Sequence, residues 1–433
     1  MKTHSPIPER LQIHRAEWVV PVSSSPLPNG AVLTHMGRVV EVGPFRAVRS
    51  GSSVGAQLVD HGRAALFPSP VNAHTHLELS TLRGKISFPQ AGFREWIELL
   101  LAVRPPVGAG HELHSAQEDL RDAEAEISGC GTGLYADTTN SGAALGSATG
   151  AFPERQVFLE LLGFNLQSIS AALPPGLSMP DLYRPPRKTA AKSAGAPGYP
   201  APAPHSVYSV SPAIISECKA WTRAHGLPFS IHAAEHLDEI EFLNNAEGFC
   251  RELLERFERW NPSWKPPGKT PVEYLDSLGA LDSSTLLVHA VHMTEADWTL
   301  AAKRQCHVVF CPRSNLNMSS GCPRIEKALS LGLNCALATD SLASNTDLNL
   351  FAEAGFALDE HPSVAPQRVL EMITLNPARS LGRRSDYGSI EPGRKAQMLA
   401  VRIGSGVNES DLAEALIQAG KEGAWKWVNH VQS

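Results

Sequence analysis

The sequence predicts an α/β protein: a TIM-type (β/α)8 barrel with a small β-sandwich-like domain built from both termini. Eight apolar segments of strand character alternate along the chain with helical patterns, which is typical of parallel βα units. Four of these segments end in a metal-capable or acid–base side chain, and a barrel of this type places its functional residues at strand ends. The 433 residues suffice for one large domain and a small accessory one.

Short strands between Gly and Pro turns indicate a small antiparallel sheet near the N-terminus. These strands are Trp18–Val22, Gly30–Thr34 and Arg38–Val42. Near the C-terminus, the strand pattern Ala396–Val401 follows a Gly- and Pro-containing turn. We therefore expect the two ends, residues 1–65 and 385–433, to form one small domain, with the barrel in residues 66–384.

The barrel strands are predicted from apolar runs bounded by turn residues. They are Leu66–His76, Gly133–Thr139, Gln156–Gly163, Ser206–Ser211, Pro228–Glu235, Thr285–His292, His307–Asn315 and Asn334–Asp340. Helical periodicity is clearest in Glu112–Ser128, Ala213–His225, Leu237–Asn245 and Pro366–Thr374. Residues 172–204 are rich in Pro, Ala, Gly, Ser and Lys, which predicts a flexible insertion before the fourth strand. A lid over the barrel mouth and a plain surface excursion both remain open for this insertion.

Composition narrows the class of protein. The net charge is −6 and aromatic residues make up 6%; without a basic run or an aromatic-interleaved patch, we expect no nucleic-acid partner. No apolar stretch is long enough for a membrane span, and the first 15 residues lack the apolar core of a signal peptide. The seven cysteines are scattered and odd in number, which favours reduced thiols in a cytoplasmic enzyme. We expect this enzyme to act on a small molecule.

The most informative motif is the pair His74 and His76. Residues two apart in a strand point to the same side, so both imidazoles can face one metal ion. A bare His-x-His is more often a pair of ordinary histidines. However, His232 with Glu235, His289 with His292, and Asp340 also end predicted strands. Each histidine alone could be a satisfied core residue, but their recurrence at strand ends predicts one shared site.

These motifs, together with Thr339-Asp340-Ser341 and Asn376-Pro377-Ala378, resemble the amidohydrolase superfamily, in the mononuclear-metal branch of cytosine-, guanine- and adenosine-type deaminases. Binuclear members carry a lysine on strand 4, and Ser206–Pro212 contains none. The resemblance therefore implies a single divalent metal ion. Its implied ligands are His74, His76, His232 and Asp340. Three imidazoles and a carboxylate suit Zn²⁺ or Fe²⁺ equally.

The resemblance also implies catalytic roles. Asp340 would accept a proton from the attacking water, and Glu235 would protonate the ring nitrogen and help carry a proton to the departing ammonia. His289 would orient the nucleophile, and His292 is the alternative for that role. The competing interpretation of Glu235 is an acid at a helix N-terminus, where the helix dipole favours it.

A narrower resemblance concerns the substrate. His74–Ser80, Gly84, Phe93, Trp96 and Arg104 resemble the opening of aminodeoxyfutalosine deaminases, enzymes of the futalosine route to menaquinone. Later segments fit equally well S-adenosylhomocysteine, methylthioadenosine and chlorotriazine enzymes, and guanine or cytosine deamination also stays open. The substrate-binding residues that we expect are Glu78, His205, Arg313 and Asn315. Arg313 would bind a substrate carboxylate bidentately, and a salt bridge to Arg83 or Arg94 is the alternative for Glu78. Family members are often dimers, so a homodimer is compatible with the resemblance.

Overall fold

The computed structural model describes residues 11–50, 55–88, 92–103, 112–141, 152–182 and 200–428. The strands within these ranges are β1 Gln12–Arg15, β2 Trp18–Val19, β3 Leu27–Pro28, β4 Gly30–His35, β5 Arg38–Pro44, β6 Gln57–Asp60, β7 Ala64–Pro68, β8 Val71–Thr75, β9 Leu134–Thr139, β10 Glu154–Leu161, β11 Ala201–Pro204, β12 Phe229–Ala233, β13 Thr285–His289, β14 His307–Phe310, β15 Asn334–Leu337, β16 Met398–Arg402 and β17 Trp425–Trp427.

The helices within the same ranges are α1 Phe45–Ser50, α2 Phe93–Val103, α3 Glu112–Gly129, α4 Ile169–Ala172, α5 Met179–Leu182, α6 Pro212–His225, α7 Leu237–Asn245, α8 Phe249–Arg256, α9 Pro271–Ser277, α10 Glu295–Lys303, α11 Pro312–Asn317, α12 Ile325–Ser330, α13 Leu350–Glu360, α14 Pro366–Met372, α15 Leu375–Ser380 and α16 Leu412–Lys421, with a 3₁₀ helix at Leu77–Leu82. The four clearest helical patterns of the sequence thus form helices with nearly the expected bounds.

Eight parallel strands close into the predicted barrel. They form two four-stranded sheets, in the orders β11-β10-β9-β8 and β12-β13-β14-β15. Parallel bridges between Thr75 and Asp340, and between Ser206 and His232, join the two sheets at both seams. Closure brings the carboxyl ends of all eight strands to one rim, which positions the site described below.

The small domain is a sandwich of two sheets, in the orders β5-β4-β1-β6 and β17-β16-β7-β2-β3. Val32 and Val39 of the first sheet pack with Val19, Leu66 and Met398 of the second in one buried cluster. Strands from both ends of the chain thus share a core, as the sequence predicts.

The predicted strand Leu66–His76 is two strands. β7 pairs with β16 in the sandwich, and β8 pairs with β9 in the barrel. Ser69 and Pro70 separate them, and Pro70 has no backbone N–H to continue a ladder. The domain boundary predicted between residues 65 and 66 therefore lies inside β7. The predicted seventh strand, His307–Asn315, also ends early, because Pro312 begins α11.

The fourth barrel strand was predicted at the wrong place. It is β11, inside the stretch predicted to be a flexible insertion. The predicted strand Ser206–Ser211 instead contains a turn at residues 207–209, between isolated bridges at Ser206 and Val210. The N–H of His205 donates to the carbonyl of Leu161 in β10 (3.1 Å). Because successive backbone N–H groups alternate in direction, Pro202 and Pro204 occupy the positions whose N–H groups would point to the seam with β12. Few hydrogen bonds cross that seam, so the prolines remove little of the ladder. Residues 183–199 lie outside the described ranges, so both interpretations of this stretch, a lid over the barrel mouth and a plain surface excursion, stay predictions.

All seven cysteines are free thiols, as expected. Within the described ranges, no helix has the length and apolar character that a membrane crossing needs. The C-terminal helix α16 departs from the predicted domain plan, since Gly420 lies against the ring of Phe351 in the barrel helix α13.

Candidate metal centre and active site

Three buried imidazoles meet at the carboxyl end of the barrel. His74 belongs to β8, His76 follows that strand directly, and His232 belongs to β12. The Nε2 atom of His232 lies 3.2 Å from Nε2 of His74 and 3.4 Å from Nε2 of His76. A tetrahedral zinc ion with bonds of about 2.0–2.1 Å separates its ligands by about 3.3–3.4 Å. The spacing of the three nitrogens therefore fits a metal ion.

Hydrogen bonds on the far side of the rings support the same conclusion. The Nδ1 atom of His232 lies 2.8 Å from the carbonyl oxygen of His205. A carbonyl only accepts, so Nδ1 carries the proton and Nε2 presents a lone pair to the centre. The Nδ1 atom of His74 contacts the Thr138 hydroxyl at 3.3 Å. Burial lowers the pKa of His74 and of His232, and the neighbouring imidazoles lower that of His74 further, so both are neutral donors.

Asp340 faces these imidazoles just beyond β15. Its Oδ1 lies 3.7 Å from Nε2 of His74 and 3.8 Å from Nε2 of His76. Its Oδ2 accepts hydrogen bonds from the hydroxyls of Ser314 (2.6 Å) and Ser344 (3.0 Å). Burial alone would raise the pKa of Asp340, but the imidazoles of His76 and His289 and the Ser314 bond hold it below its ordinary value. The carboxylate is ionised and could complete a three-nitrogen, one-oxygen donor set, which would suit Zn²⁺ or Fe²⁺.

Glu235 and His289 lie beside this donor set. Oε1 of Glu235 is 3.4 Å from Nε2 of His289. Burial, reinforced by the carboxylates of Asp340, Glu239 and Glu160, raises the pKa of Glu235 well above its ordinary value. Burial lowers the pKa of His289 to about 3. At neutral pH the pair therefore consists of a carboxyl group able to hold a proton and an uncharged imidazole.

The backbone at these strand ends is strained. Ala234, His289 and Asp340 adopt positive φ angles of 54°, 72° and 57°. The left-handed region is unfavourable for residues with a side chain and is concentrated at functional sites. The strain recurs after β12, at the end of β13 and after β15, beside the residues of the candidate site.

A cavity opens over the donor set. One wall is apolar and comes largely from α2, with Leu79, Phe93, Trp96, Ile97, Leu100 and Met318. The rest of the lining is polar and includes Glu78, Glu160, His205, Tyr208 and Ser341. A flat apolar ring with polar edges fits such a cavity.

Comparison with known proteins places the chain in a family. The family model described as "Amidohydrolase family" matches residues 65–421. This chain belongs to the amidohydrolase family. A 5-methylthioadenosine/S-adenosylhomocysteine deaminase of Nitratidesulfovibrio vulgaris (strain DP4) is 30% identical over 394 residues, covering 87% of this chain and 79% of the relative. A deaminase of the same description from Moorella thermoacetica is 27% identical over 396 residues, covering 88% and 83%.

Solved structures show the same fold. An adenosine deaminase from Xanthomonas campestris with bound zinc superposes with a TM-score of 0.71 at 23% identity, covering 99% of this chain and 96% of that one. The Helicobacter pylori aminofutalosine deaminase in complex with methylthio-coformycin gives a TM-score of 0.76 at 20% identity, covering 94% and 96%. This amidohydrolase is therefore a hydrolase of C–N bonds other than peptide bonds, with a site for a divalent metal ion.

Two of the expected substrate-binding residues of this amidohydrolase line the cavity. Glu78 accepts hydrogen bonds from the Thr139 hydroxyl (2.5 Å) and the Asn140 N–H (3.2 Å). The arginines considered as its partners instead contact other carboxylates, Arg83 that of Glu126 and Arg94 that of Asp238. His205 also lines the cavity, and its Nδ1 lies 2.7 Å from the Ser209 hydroxyl.

The other two expected substrate-binding residues have protein partners. The guanidinium of Arg313 donates to both carboxylate oxygens of Asp347, each at 2.9 Å, and Arg313 does not line the cavity formed by the described residues. Its binding of a substrate carboxylate stays a prediction. Asn315 contacts Nδ1 of His289 through its Nδ2 (3.1 Å) and does not line the cavity formed by the described residues. His292 lies outside the cavity as well, with Nε2 at 2.7 Å from the Ser320 carbonyl oxygen. The structure thus places His289, rather than His292, in the site.

Sequence reasoning missed Glu160, which is buried at the end of β10 and lines the cavity. Its Oε2 accepts from the Asn140 amide at 3.5 Å. The signal was present, because a carboxylate inside the apolar run Phe158-Leu159-Glu160-Leu161 calls for a polar neighbour. The Ser314 and Ser344 hydroxyls on Asp340 gave no such signal, since serine is common in proteins and neither residue lies in a distinctive pattern.

Proposed function

We propose that this amidohydrolase is a hydrolytic deaminase of a 6-aminopurine nucleoside. The observation that carries the proposal is the buried pair of Glu235 and His289 beside the ionised Asp340 and three buried imidazoles. Deamination of an aminopurine needs a proton donor for the ring nitrogen and an acceptor for a water proton. Two carboxyl groups with opposite pKa shifts in one site supply both.

The proposed division of labour follows from these groups. A divalent cation held by His74, His76, His232 and Asp340 would lower the pKa of a water molecule to about 7 and so supply a nucleophile at neutral pH. Glu235 would give its proton to the ring nitrogen beside the amine-bearing carbon, and Asp340 would accept the water proton at Oδ1. With the help of Glu235, that second proton would pass to the amine as the C–N bond breaks, so that ammonia leaves. His289 would donate from Nε2 to the oxygen as charge develops on it. Each proton transfer of this kind contributes about 10²–10⁴-fold.

Aminodeoxyfutalosine, an intermediate of menaquinone biosynthesis, is the substrate that the sequence resemblance favours. The second candidate is methylthioadenosine or S-adenosylhomocysteine, after which the two relatives above are named. The position of Arg313 weighs on this choice, since its guanidinium already pairs with Asp347, whereas we expected it to bind the carboxylate of aminodeoxyfutalosine. The apolar wall from α2 suits the thioether substituent of methylthioadenosine.

The test is a panel of aminodeoxyfutalosine, methylthioadenosine, S-adenosylhomocysteine and adenosine at equal concentration, with zinc- or iron-loaded enzyme. Ammonia release and loss of the adenine absorbance are followed together, and both should occur in equal amounts. Glu235→Gln is the matched control for contaminating deaminases, because it keeps the side-chain shape and removes the proton. Absence of turnover on all four nucleosides would reject the proposal. Turnover of guanine, cytosine or a chlorotriazine instead would support a hydrolase of that substrate.

The cellular setting is part of the proposal. Seven free thiols support a reducing compartment, the cytoplasm. We also propose the homodimer common in the family, which sedimentation at micromolar concentration would test directly.

A further inference from the structure

Two residues of the metal centre lie on opposite sides of one seam of the barrel, since His74 is in β8 and Asp340 lies just beyond β15. Within the described ranges, a single parallel bridge between Thr75 and Asp340 joins these two strands, whereas β14 and β15 share four paired residues. The N–H of Asp340 donates to the carbonyl of His74 (3.2 Å). The pairing of β8 with β9 also shifts register between Asn72 and Thr75. The backbone ladder alone therefore gives little support to the spacing of His74 and Asp340.

The side chain of Asn72 crosses this seam. Its Oδ1 accepts the backbone N–H of Thr339 at 3.3 Å and that of His74 at 3.4 Å. Its Nδ2 donates to the Thr339 hydroxyl at 2.7 Å. The two backbone contacts fix which way the amide faces, because a peptide N–H only donates and so must meet the amide oxygen. One oxygen atom thus holds backbone groups on both sides of the seam.

The surroundings of Asn72 give these contacts a purpose. Asn72 and Thr339 are completely buried, and neither lines the cavity formed by the described residues. A buried amide costs free energy unless hydrogen bonds replace its hydration. Here the hydrogen bonds go to His74 itself and to the residue that precedes Asp340, and Nε2 of His74 lies 3.7 Å from Oδ1 of Asp340.

We propose that Asn72 is a positioning residue that sets the spacing of His74 and Asp340, and through it the affinity and the geometry of the metal centre. Its amide does this without touching the ion or the substrate. The inference rests on the metal centre and is independent of which nucleoside the enzyme takes.

The first experiment compares Asn72→Ala with Asn376→Ala. Asn376 is the matched control, because its side chain also donates to β15, but to the carbonyl of Cys335 at the opposite end of the strand (2.9 Å). Both variants lose an amide that stabilises the fold, so both should unfold at lower urea concentration than the wild type. Only Asn72→Ala should bind zinc more weakly, by about 10–100-fold in the dissociation constant measured by chelator competition.

Cobalt provides a spectroscopic readout of the same centre. Co²⁺ is loaded in place of zinc, and its visible absorption bands report the number and arrangement of its ligands. These bands should change in Asn72→Ala and stay as in the wild type in Asn376→Ala. If Asn72→Ala loses stability but keeps the zinc affinity and the cobalt spectrum of the wild type, Asn72 only stabilises the fold and the proposal is overturned.

A milder pair of variants decides the matter if Asn72→Ala does not fold. Thr339→Val keeps the shape of the side chain and removes the hydroxyl to which Asn72 donates, whereas Thr339→Ser keeps the hydroxyl. Thr339→Val should bind zinc about 10-fold more weakly than Thr339→Ser. Equal zinc affinity in the two variants would contradict the proposal. None of these measurements uses a nucleoside, so a failure to turn over nucleosides would reject the proposed function and leave this inference standing.

Discussion

Glu239 gives the sharpest prediction about stability. It lies in the first turn of α7, is 1% exposed, and accepts the backbone N–H of Glu235 through Oε2 (3.1 Å). Burial raises the pKa of Glu239 from 4.5 to about 8, although the backbone hydrogen bonds act in the opposite direction. At neutral pH the folded protein therefore keeps a proton on Glu239 that the unfolded chain releases.

The sign and size of the effect follow from this difference. Because the pKa of Glu239 is raised in the folded state, the free energy of unfolding falls as the pH rises. It falls by about 1.4 kcal/mol per pH unit between about pH 4.5 and about pH 8. The pKa difference of about 3.5 corresponds to about 5 kcal/mol in full, of which about 3 kcal/mol is already lost at pH 7. Glu239→Gln cannot ionise and escapes this loss, so its advantage over the wild type should grow with pH.

The assay is urea unfolding of both proteins at pH 5, 6, 7, 8 and 9. The difference in unfolding free energy should be small at pH 5, rise steadily to about pH 8 and then level off. Glu241→Gln is the matched control, since this carboxylate is exposed on the same helix and the variant reports what a Glu-to-Gln exchange on this helix does by itself. If the difference in unfolding free energy between the wild type and Glu239→Gln stayed constant from pH 5 to pH 9, this prediction would be refuted.

Three further predictions concern the site. Glu235→Gln should lose about 10²–10⁴-fold in kcat while retaining its metal ion, and steady-state kinetics with metal analysis checks both. Ser314→Ala should weaken metal affinity by about 10–100-fold, because it removes the 2.6 Å bond that orients Asp340; chelator competition measures this, and an unchanged affinity would mean that the Ser344 hydroxyl suffices. Arg313→Lys should destabilise the fold by losing its paired bonds to Asp347. It should leave the ratio of kcat/KM between carboxylate-bearing and uncharged nucleosides unchanged, and a shift in that ratio would return Arg313 to substrate binding.

Much of the site was predictable because it depends on local periodicity. His74 and His76 share one side of a strand end, and His232, His289 and Asp340 each close an apolar run, so a closed parallel barrel brings them to one rim. The structure brings these side chains together within hydrogen-bonding or ion-pair distances. Their proposed roles in catalysis remain predictions.

What the sequence did not reveal depends on partners far away in the chain. Arg313 looks like a free guanidinium until the fold places Asp347 beside it, and Asn315 meets His289 only through closure of the barrel. Composition misled for β11, because alternating Ala and Pro is typical of linkers. Its prolines are tolerated because their missing N–H groups face a seam with sparse pairing.

The most direct test of the central claim is metal stoichiometry by mass spectrometry of reconstituted, desalted protein. We expect one zinc or iron ion per chain in the wild type. In His232→Asn with the fold intact we expect less than about one tenth of an ion per chain, because the affinity for the metal depends on every ligand. Two ions per chain, or full retention of one ion in His232→Asn, would contradict a single centre held by His74, His76, His232 and Asp340.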